Sequence, residues 1–316
     1  MNEHYVTLFD SLFLPQGLAL YASMQRHAGA YTLWILCMDD EVFEKLGRLD
    51  LPNVRLLQLS ILETDELINV KRQRTIAEYC WTLTPFTPRF VFASDPSVQR
   101  VTYLDADLWF RKNPKQIFWE FEESGKQLLI TDHAYAPEYD RSATSGQYCV
   151  QFMIFQREGG EEVRRWWEAR CLEWCHARAE DGKFGDQKYL DDWTERFSEQ
   201  VHVLADKELL QAPWNATRFP HGRAVCWHFH ELRILKGLSA ARYTVDCGSY
   251  PLPSVTRRHI YREYLIDLRR AIDTIKTFGW EVKAQRKLTL SDKFFGFFLG
   301  FWRQVWRTTI HWQQSL

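Results

Sequence analysis

The chain's 316 residues allow one large domain or two smaller ones, and its 46% hydrophobic and 15% aromatic content rules out a disordered chain, a coiled coil or a collagen-like fibre. Lysine plus arginine (40) balance aspartate plus glutamate (41) to a net charge of −1, which argues against nucleic acid as a partner because no global basic field exists to hold it. No charged start followed by an apolar run and a cleavage site opens the chain, and no run reaches the roughly 18 to 20 apolar residues that span a bilayer. The seven cysteines are scattered without disulfide-framework spacing, which fits a reducing compartment and predicts a cytoplasmic protein.

Apolar runs alternate with helical patterns through the N-terminal third, the signature of βαβ units and a mostly parallel sheet flanked by helices. Tyr5 to Phe9 reads as a buried strand that Asp10 and Ser11 end, and Pro15 suits the first turn of the helix that follows. Thr32 to Met38 and Val54 to Leu59 are predicted strands, with a short helix through Leu49 between them. Residues 65–92 read as helix interrupted by Pro85 and Pro88, and Arg100 to Leu104 returns as a strand. Residues 126–131 and 148–155 are further strands, and Glu161 to Arg178 is a helix with an apolar stripe. Cys171, Cys175 and His176 sit together, but their spacing is unlike a zinc knuckle and they read as core. The first half resembles a nucleotide-binding α/β sheet, and from about residue 256 basic helical segments begin, so the chain divides into 1–255 and a helical tail, 256–316.

The sharpest motif is YLDADLWF, residues 103–110. Asp105 and Asp107 are two apart at the end of an apolar strand, so both carboxylates can face one side at the edge where open α/β sheets bind ligands. Two hard oxygen donors suit Mg²⁺ or Mn²⁺, which keep positions open for water and substrate phosphates. Neither GxGxxG nor GxxxxGK[ST] follows any strand, so phosphate has to be handled in another way. Arg72 or Arg74 can pair bidentately with a diphosphate, with solvated helix charge as the plainer alternative. Trp214 and Asn215 in APWN can stack on and hydrogen-bond a sugar, or anchor a turn.

The order of EYCWTLTPF (78–86), YLDADLWF, GDQKYLDDW (185–193), APWN (212–215) and HFHELRI (228–234) resembles GT-A-fold glycosyltransferases. It is most similar to the bacterial nucleotide-diphospho-sugar transferases of surface-polysaccharide clusters, and more distantly to the glycogenin and lipopolysaccharide galactosyltransferase group. The resemblance covers roughly residues 5–240. It implies a GT-A-type α/β fold over 1–255, with a nucleotide-binding half (1–110) and an acceptor half (111–255), and a nucleoside-diphosphate sugar donor, a UDP-sugar above others. The implied acceptor is a glycan or a lipid-linked saccharide. Asp107 would ligate the metal, Asp105 would contact the metal or the donor ribose, and His228 would complete the metal site. HFHELRI departs from the family's H-x-G-x-x-K, because Glu231 follows His230 and the lysine is only approximately placed at Lys236. Asp186 and Gln187 match an Asp-Gln pair on the acceptor side, where Asp186 can hold a sugar hydroxyl or act as base; Asp186 can equally cap a helix. Asp10 would lie in the loop that holds the base, or serve as a turn residue.

The last segment places Phe294, Phe298, Phe301, Trp302, Val305 and Trp306 near helical spacing, with Arg303 and Arg307 interleaved. That pattern predicts contact with a membrane surface through 293–312, on the inner face of the cytoplasmic membrane. The reading is a metal-dependent glycosyltransferase building a bacterial surface glycan. A sugar-phosphate nucleotidyltransferase is the rival enzyme, and a membrane-associated scaffold with a degenerate transferase domain is the non-catalytic alternative.

Overall fold

The computed structural model describes residues 2–236 and 243–287, so the membrane-contact segment 293–312 lies outside the described residues. The strands in chain order are β1 (Glu3–Phe9), β2 (Tyr31–Cys37), β3 (Val54–Gln58), β4 (Arg100–Leu104), β5 (Leu108–Phe110), β6 (Leu128–Asp132), β7 (Tyr148–Gln156), β8 (Val201–Val203), β9 (Leu210–Gln211), β10 (Cys226–His228), β11 (Arg233–Lys236), β12 (Tyr243–Asp246) and β13 (Arg286–Lys287). Seven of them form one mixed sheet in the order β3-β2-β1-β4-β7-β6-β8. Pairing is parallel from β3 to β4 and antiparallel on both sides of β7. Two small sheets, one of them β5-β10-β9, sit beside it.

Tyr5 to Phe9 are all buried, as expected of a central strand with both faces covered. Alternation then sorts the side chains: Tyr5 and Phe9 join one core cluster, Val6 and Leu8 the other. The helix Leu14–His27 carries Pro15 in its first turn, and Asp39 caps the helix Asp40–Leu49 by accepting from Val42 N at 2.7 Å. A capping box between Thr75 and Glu78 starts the helix Ile76–Leu83. Pro85 and Pro88 do not break structure at random; each occupies a first-turn position, of a 3₁₀ turn and of the helix Thr87–Ser94.

The helix expected over Glu161 to Arg178 stops at Glu173, where Trp174 turns extended. Cys171 and Cys175 are buried and all seven cysteines are free thiols. At the other end of the chain, helix runs continuously from Ser254 to Thr277, with an i→i+5 turn over Arg257–Tyr261. It packs on the helix Leu14–His27 and stacks Tyr264 on Phe229. Its buried Asp267 accepts from Trp109 Nε1 at 2.8 Å and pairs with Arg26. This helix therefore buttresses the strand that follows the Asp-x-Asp motif.

Candidate active site

Strand β4 delivers Asp105, a tight turn closed by Leu108 N donating to Asp105 O (3.1 Å) follows, and β5 leaves from Asp107. Antiparallel pairing of β10 with β5 sets His228 opposite Leu108, and Phe229 N donates to Asp107 O at 2.9 Å. The register thus brings a histidine 121 positions away onto the motif. His228 Nε2 lies 3.1 Å from Asp107 Oδ1 and 3.7 Å from Asp105 Oδ2, and the ligand atoms of Asp105, Asp107 and His228 all lie within 4.8 Å of one another. Two carboxylates and an imidazole are a donor set that fits Mn²⁺ or Mg²⁺.

The neighbouring strand orients the ring. Asp105 N donates to Gln151 O (3.1 Å), which places the Gln151 side chain beside the motif, and Gln151 Oε1 is 3.0 Å from His228 Nδ1. With Nδ1–H donating there, Nε2 is directed at the carboxylates, the arrangement by which an outer partner fixes a metal-binding histidine. Burial opposes a charge on His228, but the Asp107 carboxylate beside it overcomes that and holds the imidazole protonated well above its ordinary range. Burial and the Asp107 charge push Asp105 up to about 6, whereas His228 keeps Asp107 below the usual carboxylate range despite its burial.

Asp186 is buried and its Oδ2 has no hydrogen-bond partner among the described residues. Burial first and the Asp105 charge second push it up to about 7. It precedes the 3₁₀ turn Gln187–Asp192 without capping it, so the expected cap is not made. The loop that carries it is tied down from both sides: Trp167 Nε1 donates to Asp186 O (2.8 Å), and Glu78 accepts from Ala177 N (2.8 Å). Gln187 Nε2 donates to Ser145 O at 2.8 Å. Asp10 accepts from Leu12 N and Phe13 N (3.0 and 3.1 Å) in the turn after β1, and burial raises it above the usual carboxylate range. Asp10 and Asp186 both act on the Cys80 thiol, which burial pushes up to about 12. The β1 loop and the Asp186 loop therefore converge on the helix Ile76–Leu83, while Thr84 just beyond it bears on both Tyr103 and Asp186.

The remaining sequence candidates are engaged otherwise. Arg74 donates to Leu172 O (2.7 Å) and to Thr82, fastening two helices together, and Arg72 is exposed at the end of the helix Asp65–Lys71. Asn215 is fully buried with both amide functions spent on backbone, accepting from Ala212 N (3.0 Å) and donating to His133 O (3.0 Å). Trp214 donates to the same carbonyl (2.8 Å) and sets its ring edge-on to His228 and His230 at 5.3 and 5.2 Å. It is a buried wall behind the histidines, with no open face for a pyranose. Lys236 pairs with Glu281 at 2.6 Å, and it is Arg233 whose charge reaches Asp107. Sequence reasoning passed over Arg233 and Gln151. Arg233 stands five residues after His228, where H-x-G-x-x-K has its lysine, and Gln151 is the lone polar residue inside the run YCVQFMIF.

No protein-family model matches the chain. It is 33% identical over 204 residues to the uncharacterized protein YfnF of Bacillus subtilis, an alignment covering 62% of this chain and 67% of that protein. It is 27% identical over 294 residues to the uncharacterized protein YfnD of the same organism, covering 87% and 91%. Among solved structures, the galactosyltransferase LgtC, bound to donor and acceptor sugar analogs, superposes with a TM-score of 0.54 at 11% identity, covering 84% of this chain and 95% of that one. Mouse xyloside xylosyltransferase 1 gives 0.51 at 16% identity, covering 73% and 98%. The chain belongs to the family of YfnF and has the GT-A fold of glycosyltransferases.

Proposed function

We propose that this protein transfers a sugar from a nucleoside-diphosphate sugar, a UDP-sugar first among them, to a glycan or lipid-linked saccharide acceptor at the inner face of a bacterial membrane. The observation that carries the reading is the Asp105–Asp107–His228 cluster at the carboxyl edge of a GT-A sheet. Beside it are a buried donor, Gln151 Nε2, and a buried acceptor, Asp186 Oδ2, neither with a hydrogen-bond partner among the described residues. Buried polar groups without partners are costly, and sugar hydroxyls, which both donate and accept, satisfy such a pair.

Asp105, Asp107 and His228 would hold Mn²⁺ or Mg²⁺, which when bound supplies Lewis-acid stabilisation of the departing diphosphate. Arg233 adds a fixed positive charge on the same side, where negative charge grows as the sugar–phosphate bond breaks. Asp10 holds the turn where the base would sit, with its carboxylate set by backbone donors. Asp186, near 7, is able to hold a sugar hydroxyl or to accept its proton, and Gln187 keeps its carbonyl oxygen for the acceptor side. Incubation with a panel of UDP-sugars and Mn²⁺, with release of UDP as the readout, tests the reading. Activity with one sugar that Asp107→Ala abolishes supports it, and release equal in the variant would refute it.

A further inference from the structure

A cavity of about 320 Å³ opens between the segment 247–252 and the start of the C-terminal helix. That volume lies at the small end of ligand-binding pockets. Its floor is apolar and buried, from Leu252, Tyr261 and Leu265, and its rim is the exposed guanidinium groups of Arg257, Arg258 and Arg262. The i→i+5 turn, in which Arg262 N donates to Arg257 O, widens the helix at this point and sets these cations along one opening. Arg258 and Arg262 are four residues apart on one helical face, a like-charge spacing that disfavours the helix unless an anion compensates. Neither forms an ion pair among the described residues. Glu263, the acid on the same turn, acts on Arg111 and His27.

The cavity adjoins the candidate metal centre through one shared wall. Tyr250 lines it, and the same ring contacts His230 (6.4 Å), which in turn contacts His228 (5.8 Å). Arg141 lies over Tyr250 at 5.9 Å and adds positive charge on the far side of that ring. Gly248 keeps this wall thin: a Cβ there would meet Glu231 Cβ at 2.8 Å, and Glu231 clamps the loop by accepting from Ser249 N and Oγ at 2.9 and 2.7 Å.

We infer that this cavity binds the phosphate ester of an amphipathic acceptor, with the arginine rim on the phosphate and the apolar floor on the first carbons of its alkyl chain. The inference rests on the transferase reading for the identity of the molecule as acceptor, and it deepens that reading by naming its anionic, apolar anchor. A guanidinium rim over an apolar floor discriminates against a neutral glycan, which offers neither charge nor alkyl surface.

Titration calorimetry with decyl phosphate below its micellar concentration tests it, with decanol and inorganic phosphate as separate probes. The wild type is expected to bind decyl phosphate at least tenfold more tightly than either probe, and Arg258→Gln/Arg262→Gln to weaken that binding at least tenfold. Decanol binding as tightly would leave only an apolar cavity, and inorganic phosphate binding as tightly would leave only a free-phosphate site; either overturns the inference, as does unchanged binding in the double variant. The decanol and phosphate comparisons are read on the wild type, so they decide the matter whether or not the variant folds. UDP with Mn²⁺ is titrated into the same preparations. Decyl phosphate binding without nucleotide binding would refute the transferase reading alone, and nucleotide binding without decyl phosphate binding would refute the cavity alone.

Discussion

His228 Nδ1 lies 3.0 Å from Gln151 Oε1 while its Nε2 lies 3.1 Å from Asp107 Oδ1, so one imidazole couples strand β7 to the Asp-x-Asp turn. Gln151→Leu removes the orienting acceptor and, with it, a buried amide nitrogen that has no partner among the described residues. Mn²⁺ affinity measured by calorimetry is expected to fall by about ten- to a hundredfold. The melting temperature without metal should change little. Unchanged Mn²⁺ affinity would show that the histidine is positioned by packing alone.

The same histidine predicts a pH dependence. Because the Asp107 charge outweighs burial and raises the affinity of His228 for its proton, an incoming cation has to displace that proton. Mn²⁺ affinity should therefore rise with pH by up to about tenfold per pH unit while His228 remains protonated, with proton release visible as a buffer-dependent heat. Below about pH 6 the protonation of Asp105 steepens the loss. An affinity flat from pH 5.5 to 8 would contradict the assignment of the triad as ligands.

Asp186 gives a stability signature. Its carboxyl is raised to about 7 in the folded protein, so folding favours the neutral form and the contribution is fully present below the unfolded value near 3.8. That contribution is lost as pH rises through about 7. Asp186→Asn removes the titration, so in chelator the variant should gain stability relative to wild type between about pH 4 and pH 7, by an amount on the order of a few kcal/mol. Urea unfolding across that range measures it, and a constant difference would place Asp186 in water.

Asp267 lies on the C-terminal helix yet serves the site through Trp109 and Arg26. Asp267→Ala leaves a buried indole donor and a guanidinium without their acceptor, a loss of about 3 kcal/mol in urea unfolding. Trp109 follows Asp107 by two residues in β5, so Mn²⁺ affinity should drop in the same variant. A loss below about 1 kcal/mol would mean that the helix is held by its apolar face alone.

The strands at Tyr5–Phe9 and Arg100–Leu104 were legible because central strands covered on both faces are near-continuous apolar runs, which local composition announces. Asp105 and Asp107 were legible for the same reason, since an apolar lead-in places two nearby carboxylates at a sheet edge. Gln151 was not, because its role depends on which strand lies beside β4, a pairing between residues far apart in sequence. Trp214 and Asn215 show the converse. Their chemistry suits a sugar, but the carbonyl of His133, brought in from 81 and 82 residues away, takes both donors. Arg74 likewise met Leu172 O, 98 residues distant, before it could face a phosphate. Residue type tells what a side chain is able to bind, and long-range topology decides which partner reaches it first.

The central claim is a cation-dependent nucleotide-sugar site built on Asp105, Asp107 and His228. Calorimetric titration of UDP into wild type and Asp107→Ala, each with Mn²⁺ and with chelator, tests it most directly. Binding confined to the wild type with Mn²⁺ is the predicted result. Binding that survives both the chelator and the substitution would contradict it, as would the absence of binding by UDP, GDP, CMP and dTDP under every condition.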